Sequence, residues 1–117
     1  MIYISGRITG NKNWEDDFHK AEEELLEKGY KVIINPLNLD EQVNKEVKNP
    51  TYIDYMKQDI EILILCDEIY MLRGWWRSKG ARLERHIAKV LGMKIIYQKR
   101  GKKNDRKRIT RLQTSKN

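Results

Sequence analysis

The chain has 117 residues, enough for a single domain with one modest core and too few for two. With 39% hydrophobic and 35% charged residues it reads as an ordinary soluble globular protein, and its net charge of +7 is unevenly spread. Residues 99–117 hold nine Lys or Arg against one acid, Asp105, whereas residues 1–98 hold 15 Lys or Arg against 16 acids. The basicity therefore belongs to a tail beyond a nearly neutral domain, 1–98, which argues against a fold whose own surface reads nucleic acid.

Two readings of the tail stand side by side: a solvated, flexible end, or a source of weak, salt-dependent nucleic-acid contact. The lone cysteine, Cys66, lies in an apolar stretch and has no internal disulfide partner, which fits a reducing cytoplasm. The N-terminus lacks the basic run and long apolar segment of a signal peptide. No apolar run approaches the roughly 20 residues that a membrane span needs, so no membrane association is expected.

In chain order, Ile2-Tyr3-Ile4 is a short apolar strand running into a loop bracketed by Gly6 and Gly10. A helix then starts near Asn13. Its Trp14, Phe18, Ala21 and Leu25 fall on one apolar face, while Glu22, Glu23, Glu24 and Glu27 lie mostly on the solvated side, and Gly29 closes it. Lys31 to Ile34 is a second strand, stopped by Asn35-Pro36. Residues 37–50 are polar without clear periodicity and read as a long loop, of the kind that often forms lids or oligomer contacts. A second helix follows from Thr51 to about Leu65, with an inner stripe of Tyr52, Tyr55, Met56, Asp59, Ile60 and Leu63.

Glu68 to Leu72 is a third strand, entered through Asp67. A loop with Gly74, Trp75 and Trp76 leads to a third helix that Ser78 opens and that ends near Gly92. Met93 to Tyr97 is the fourth strand. Strands alternating with helices predict a three-layer α/β/α fold, flavodoxin- or Rossmann-like, with a mainly parallel sheet of four or five strands. Ile4, Ile33, Ile69, Met71 and Ile95 are the expected core. Ligands of such sheets bind at the carboxyl ends of the strands, beside a topological switch point. The loops there are 5–10, the segment from Asn35 onward, and 73–80.

Glu84 is the residue most out of place. Ala81, Glu84, Ala88 and Leu91 share one face of the third helix, and a carboxylate there points at the sheet, where burying an unpaired charge is costly. It is either a structural carboxylate paired with a buried Arg or a tyrosine hydroxyl, or a functional group. Asp59, between Met56 and Leu63 on its own inner stripe, raises the same question. Asp67 at a strand mouth fits a turn cap as well as a site residue.

The loop Ser5-Gly6-Arg7-Ile8-Thr9-Gly10 stands between a strand and a helix, where glycines allow close backbone approach and helix-start N–H groups favour phosphate. It is neither a Walker loop nor a dinucleotide fingerprint. Ser78-Lys79-Gly80 is a second such start, with Ser78 a natural N-cap. Trp75 and Trp76 could stack on a base or cover the core. His19 and His86 have no metal-ligand spacing, so neither a metal nor another cofactor is expected.

Taken together, YISGRITG at the start, INP after the second strand, QDIEILILCDEIYML and GWWRSKGARLERHIAKVLG resemble small phage and bacterial domains of unknown function, DUF4406-like, within the nucleoside 2-deoxyribosyltransferase-like superfamily. That superfamily includes the deoxynucleoside 5′-monophosphate N-glycosidases. The resemblance spans residues 2–92 and implies roles. Glu84 would be the nucleophile at C1′ of the sugar, Asp59 an acid/base or sugar contact, and Tyr3 a hydrogen-bond partner near the nucleophile or the sugar. Ser78 and Gly80 would contact a phosphate or the 5′ end, with Ser5, Gly6, Arg7, Thr9, Asn35, Asp67 and Trp75 as further substrate-binding positions.

The implied activity is cleavage or exchange of the N-glycosidic bond of a deoxynucleoside or its 5′-monophosphate, in a homo-oligomer. The transferases complete their sites with C-terminal residues of a neighbouring subunit, and the Lys/Arg-rich tail offers no equivalent, which directs the expectation to hydrolysis. The alternative is a sensor or sequestering protein that holds a nucleotide or nucleotide-derived signal without turning it over.

Overall fold

Four short runs rich in β-branched and aromatic residues pair with one another in parallel. In the computed structural model, which describes residues 1–99, they are β1 (Ile2–Ser5), β2 (Ile33–Ile34), β3 (Glu68–Met71) and β4 (Lys94–Tyr97), in the spatial order β2-β1-β3-β4. Register is continuous along β1 and β3, from Ile2 opposite Glu68 to Ser5 opposite Met71. The helices are α1 (Trp14–Glu27), α2 (Pro36–Glu46), α3 (Tyr52–Leu63) and α4 (Lys79–Val90). This is the expected three-layer α/β/α fold, with four strands, all parallel. The chain leaves β1 for β2 on one side and returns to β3 on the other, so the topological switch point lies between β1 and β3.

Strand alternation divides the core in two. Ile2, Ile4, Tyr70 and Leu72 meet Phe18, Ala21 and Leu25 of α1 on one face. Tyr3, Ile69 and Met71 meet Leu63 of α3 and Ala81 and Ala88 of α4 on the other. Each fully buried Ile, Leu or Phe contributes about 1.5–3 kcal/mol. Helix α1 keeps its expected face, and Gly29 just beyond it takes φ +98°, a conformation that costs glycine little. Helix α4 begins at Ser78, whose hydroxyl accepts the Ala81 N–H, and Gly92 follows its end with φ +75°.

Several expectations change. Residues 37–50 are not one long loop, because α2 occupies their first part. The Asn35 side-chain oxygen accepts the Leu37 N–H, and Pro36 takes a first-turn position where its missing N–H costs nothing. Asn-Pro therefore starts a helix as well as stopping a strand. Ile33 and Ile95 are half-buried rather than fully buried, since β2 and β4 are the sheet edges. Tyr52 is about half exposed. Glu22 and Glu24 are half-buried and bonded: Glu22 accepts from Asn35, and Glu24 from Tyr70 and Gln98.

Among the described residues no helix is long and apolar enough to cross a membrane. Except for Lys99, the basic tail lies outside the described residues.

Candidate active site

The alternation that sends Ile2 and Ile4 towards α1 sends Tyr3 and Ser5 towards α4. There they meet Glu84, which the spacing of Ala81, Glu84 and Ala88 turns to the sheet. The Tyr3 hydroxyl donates to Glu84 Oε2 at 2.7 Å, and the Ser5 hydroxyl donates to Oε1 at 2.6 Å. All three side chains are buried, Glu84 to 5% exposure. Desolvation pushes the Glu84 carboxyl up to about 7, against the two hydroxyl hydrogen bonds, which favour its charged form and hold it down. The Tyr3 hydroxyl is pushed far above its ordinary range by burial and by the neighbouring Glu84 and Asp59 carboxylates. Tyr3 therefore stays a donor at any physiological pH, and so stands permanently ready to stabilise an ionised Glu84.

Glu84 lines a cavity of about 40 Å³. Tyr3, Asp59, Ser78, Gly80, Gly6 and Thr9 line it too, so three elements and two loops converge there. Asp59 reaches it from the buried face of α3, as its place between Met56 and Leu63 implies. Ser78 and Gly80 bring the N-terminal turn of α4, whose N–H groups carry partial positive charge. A wider bowl of about 430 Å³ shares Thr9, Tyr52, Ser78 and Gly80 with the inner cavity and adds Arg77 and Lys79. The site thus has a narrow carboxylate-bearing interior and a cationic mouth, at the carboxyl ends of β1 and β3.

The glycines of the two loops serve packing. A Cβ on Gly6 would stand 3.0 Å from Leu72, and one on Gly80 would stand 3.1 Å from both the Tyr52 hydroxyl and the Met56 sulfur. Gly80 is what lets α4 close against α3 at the cavity wall.

Other positions singled out in the sequence stand elsewhere. The Arg7 guanidinium lies against Gly10, where a Cβ would come within 2.9 Å of it, and does not line the cavity. Asn35 is buried as the cap of α2. Asp67 is at the opposite, amino end of the strands, where it bridges the Met1 ammonium at 2.9 Å. Trp75 lies on the β4 side of α4, under the Arg85 guanidinium at 4.9 Å and beside Tyr97. Ser5 belongs to β1 itself and holds Glu84.

The cavity also includes Ile8, Pro36, Tyr52 and Met56, which were not among the candidates. For Tyr52 and Met56 the signal was present: they share the helical stripe of Asp59, and a stripe with a carboxylate in it marks a wetted wall. Among the described residues no group of three or more His, Cys, Asp or Glu is placed to hold a metal ion.

No characterised protein and no solved structure matches the chain. A family of domains of unknown function, DUF4406, matches it over residues 1–97, the whole of the sheet and its helices, and the chain belongs to that family.

Proposed function

We propose that the protein hydrolyses the N-glycosidic bond of a deoxynucleoside 5′-monophosphate, with Glu84 as nucleophile, in keeping with the resemblance of its motifs to the nucleoside 2-deoxyribosyltransferase-like superfamily. The observation that carries the reading is a buried carboxylate, held at both oxygens by hydroxyl donors, on the wall of a cavity that a second carboxylate also lines. A purely structural carboxylate needs the donors but has no need of the cavity or of Asp59.

The chemistry follows from that arrangement. Glu84 Oε attacks C1′, the C1′–N bond breaks, and its electrons leave with the base, which takes a proton from Asp59 acting as acid. Water, deprotonated by Asp59, then attacks C1′ of the glycosyl ester and releases Glu84 as carboxylate, leaving deoxyribose 5-phosphate. Near pH 7 the Glu84 carboxylate is both available and less stabilised than it would be in water, which raises its reactivity. Tyr3 and Ser5 fix its orientation and take up its returning charge.

The preference for a phosphate rests on the mouth. Arg77, Lys79 and the first turn of α4 offer positive charge and N–H donors that a free nucleoside would leave unused. The inner cavity has room for reacting atoms only, so the base and phosphate belong to the wider bowl.

The test is incubation with a panel of deoxynucleosides and their 5′-monophosphates, followed by chromatography. Free base should accumulate from at least one monophosphate, faster than from its nucleoside. Binding of a nucleotide with no base released from any member of the panel would replace the enzyme by a nucleotide-binding protein.

A further inference from the structure

The near neutrality of residues 1–98 is a sum of two opposite parts. Residues 1–72 carry eight Lys or Arg against 15 acids, whereas residues 73–99 carry eight Lys or Arg against one acid, Glu84, which is buried. The two signs are most concentrated on opposite sides of the sheet. Helix α1, with Glu15, Asp16, Asp17, Glu23 and Glu27 among its exposed residues, covers one face, and α4 covers the other.

On α4 the basic residues form a line. Lys79, Arg82, His86 and Lys89, spaced three, four and three residues apart, share the side of the helix opposite Glu84, and all four are exposed. Solvation asks for charge there, not for one sign. Like charges three or four residues apart, such as Lys79 with Arg82 and Arg85 with Lys89, disfavour a helix by about 0.2–0.5 kcal/mol a pair. Lys79 also opens the first turn, where the helix dipole opposes a cation. No exposed acid of α4 offsets these costs.

Aromatic rings are set beside the same line. Trp76 is 55% exposed and Tyr97 46%. Arg82 donates to the Trp76 carbonyl oxygen at 3.4 Å, and the Trp76 ring stands edge-on to Trp75 at 6.2 Å. Arg85 lies over the rings of Trp75 and Tyr97, at 4.9 Å and 5.8 Å, and donates to the Tyr97 hydroxyl. The helix's own arginines thus pin two exposed rings next to a row of positive charge. The row begins at the bowl, whose wall includes Arg77 and Lys79. From there the 12 residues of α4 carry it roughly 18 Å onward.

We propose that the outer side of α4, with Trp76 and Tyr97 beside it, is a track for a single strand of nucleic acid that leads into the bowl. The surface lies within residues 76–97 and is separate from the tail. Successive phosphates lie along Arg82 and Lys89, and unstacked bases lie against the exposed rings, the combination that holds single strands with little regard to sequence. A duplex offers the phosphates but keeps its bases stacked inside, and an acidic protein surface has charge without bases. Only the strand's entry into the bowl rests on the function proposed above, and there the strand presents one of its own nucleotides to Glu84 as substrate.

Fluorescence anisotropy of the full chain with a labelled oligothymidylate of about ten nucleotides tests it. The double variant Arg82→Ala/Lys89→Ala should bind about tenfold more weakly and lower the slope of log Kd against log salt by about 1.4, the value of two single-strand phosphate contacts. Trp76→Ala should weaken binding about tenfold, and weaken that of a duplex of the same length far less. Circular dichroism should not change, because all three side chains are exposed. Every variant keeps the tail, so wild-type affinity and salt slope in both would give the binding to the tail and overturn the track. No binding by the wild type at about 100 μM would overturn it too. So would equal displacement of the strand by polyglutamate and by unlabelled oligothymidylate, which would give the face to an acidic protein. Binding that responds to the substitutions, in a protein that neither binds nor cleaves any deoxynucleoside 5′-monophosphate, would uphold the track and remove its entry into the bowl together with the proposed reaction.

Discussion

Each face of the sheet buries a tyrosine whose hydroxyl donates to a glutamate on a covering helix. Tyr70 donates to Glu24 of α1 at 3.0 Å, and Tyr3 donates to Glu84 of α4 at 2.7 Å. The pairs differ in what surrounds the carboxylate. Glu24 lies at the rim of its layer, with a further hydrogen bond from Gln98 and with Lys20 and Arg73 around the same opening. Glu84 is sealed under its helix, with hydroxyls as its hydrogen-bond donors. The same pair of side chains therefore stands at an open rim in one place and is sealed from solvent in the other. Desolvation, and not the identity of the residues, makes the difference.

The largest effect that separates the two pairs is on chemistry. Glu84→Gln preserves the side chain's shape but removes the carboxylate proposed as nucleophile, and should lower base release by roughly 10³-fold or more. Glu24→Gln should leave it unchanged. Single-turnover assays on the two variants check this, and equal losses would dissolve the distinction between anchor and reactive group.

Stability should move the opposite way. The Glu84 carboxyl stands at about 7 in the fold against an ordinary 4.5. Below about pH 4.5 both folded and unfolded chains hold its proton. Between there and pH 7 the unfolded chain releases the proton and the folded chain retains it, so stability falls as pH rises. The accumulated loss is about 3 kcal/mol by pH 8. Glu84→Gln escapes that loss, because the hydroxyl that meets the amide nitrogen can turn to accept from it while the other still donates to the amide oxygen. Urea titrations should find the variant more stable than wild type at pH 8, with the gap closing towards pH 4.5. A gap independent of pH would show that burial does not perturb Glu84.

How far this contrast could be read from the chain depends on the element. Glu84 was legible because a helix of known phase puts Ala81 and Ala88 against the sheet and carries Glu84 along. The sheet was legible because its strands alternate with capped, periodic helices. Which strands lie at the edge was not, since Ile33 and Ile95 have the same composition as buried strand residues and only strand order exposes them. Helix α2 was hidden because its polar sequence lacks a stripe, and its start signal, Asn35-Pro36, doubles as a strand stop. Ser5 read as a loop residue because Gly6 follows it, while pairing with β3 keeps it in the strand.

Removing the hydroxyl from each tyrosine gives a smaller contrast. Tyr3→Phe deletes one of the two donors that hold the Glu84 carboxyl down, so its ionisation should move to still higher pH. On the proposed mechanism base release needs the ionised form, so in the wild type it should rise with pH, with a midpoint near 7. In the variant that limb should shift upward, costing about tenfold in kcat/KM at pH 7 and largely recovering above pH 8. A loss that persists at high pH would mean that Tyr3 acts on the substrate instead.

Tyr70→Phe should have the smallest effect, and it tests whether the faces are independent. Its hydroxyl is the only polar atom that the substitution removes, and Glu24 keeps its hydrogen bond from Gln98. The ring stays in the apolar cluster with Ile2, Ile4 and Leu25, so no cavity forms. The cost should be about 1 kcal/mol, the usual net value of one hydrogen bond whose acceptor retains another partner. Base release and its pH profile should not change, because Tyr70 points away from Glu84 through the alternation of β3. Chemical denaturation and a pH–rate profile on this one variant read both quantities. A tenfold loss of activity at unchanged stability would mean that the α1 face is coupled to the reaction across the sheet, and that the two tyrosine–glutamate pairs are parts of one site.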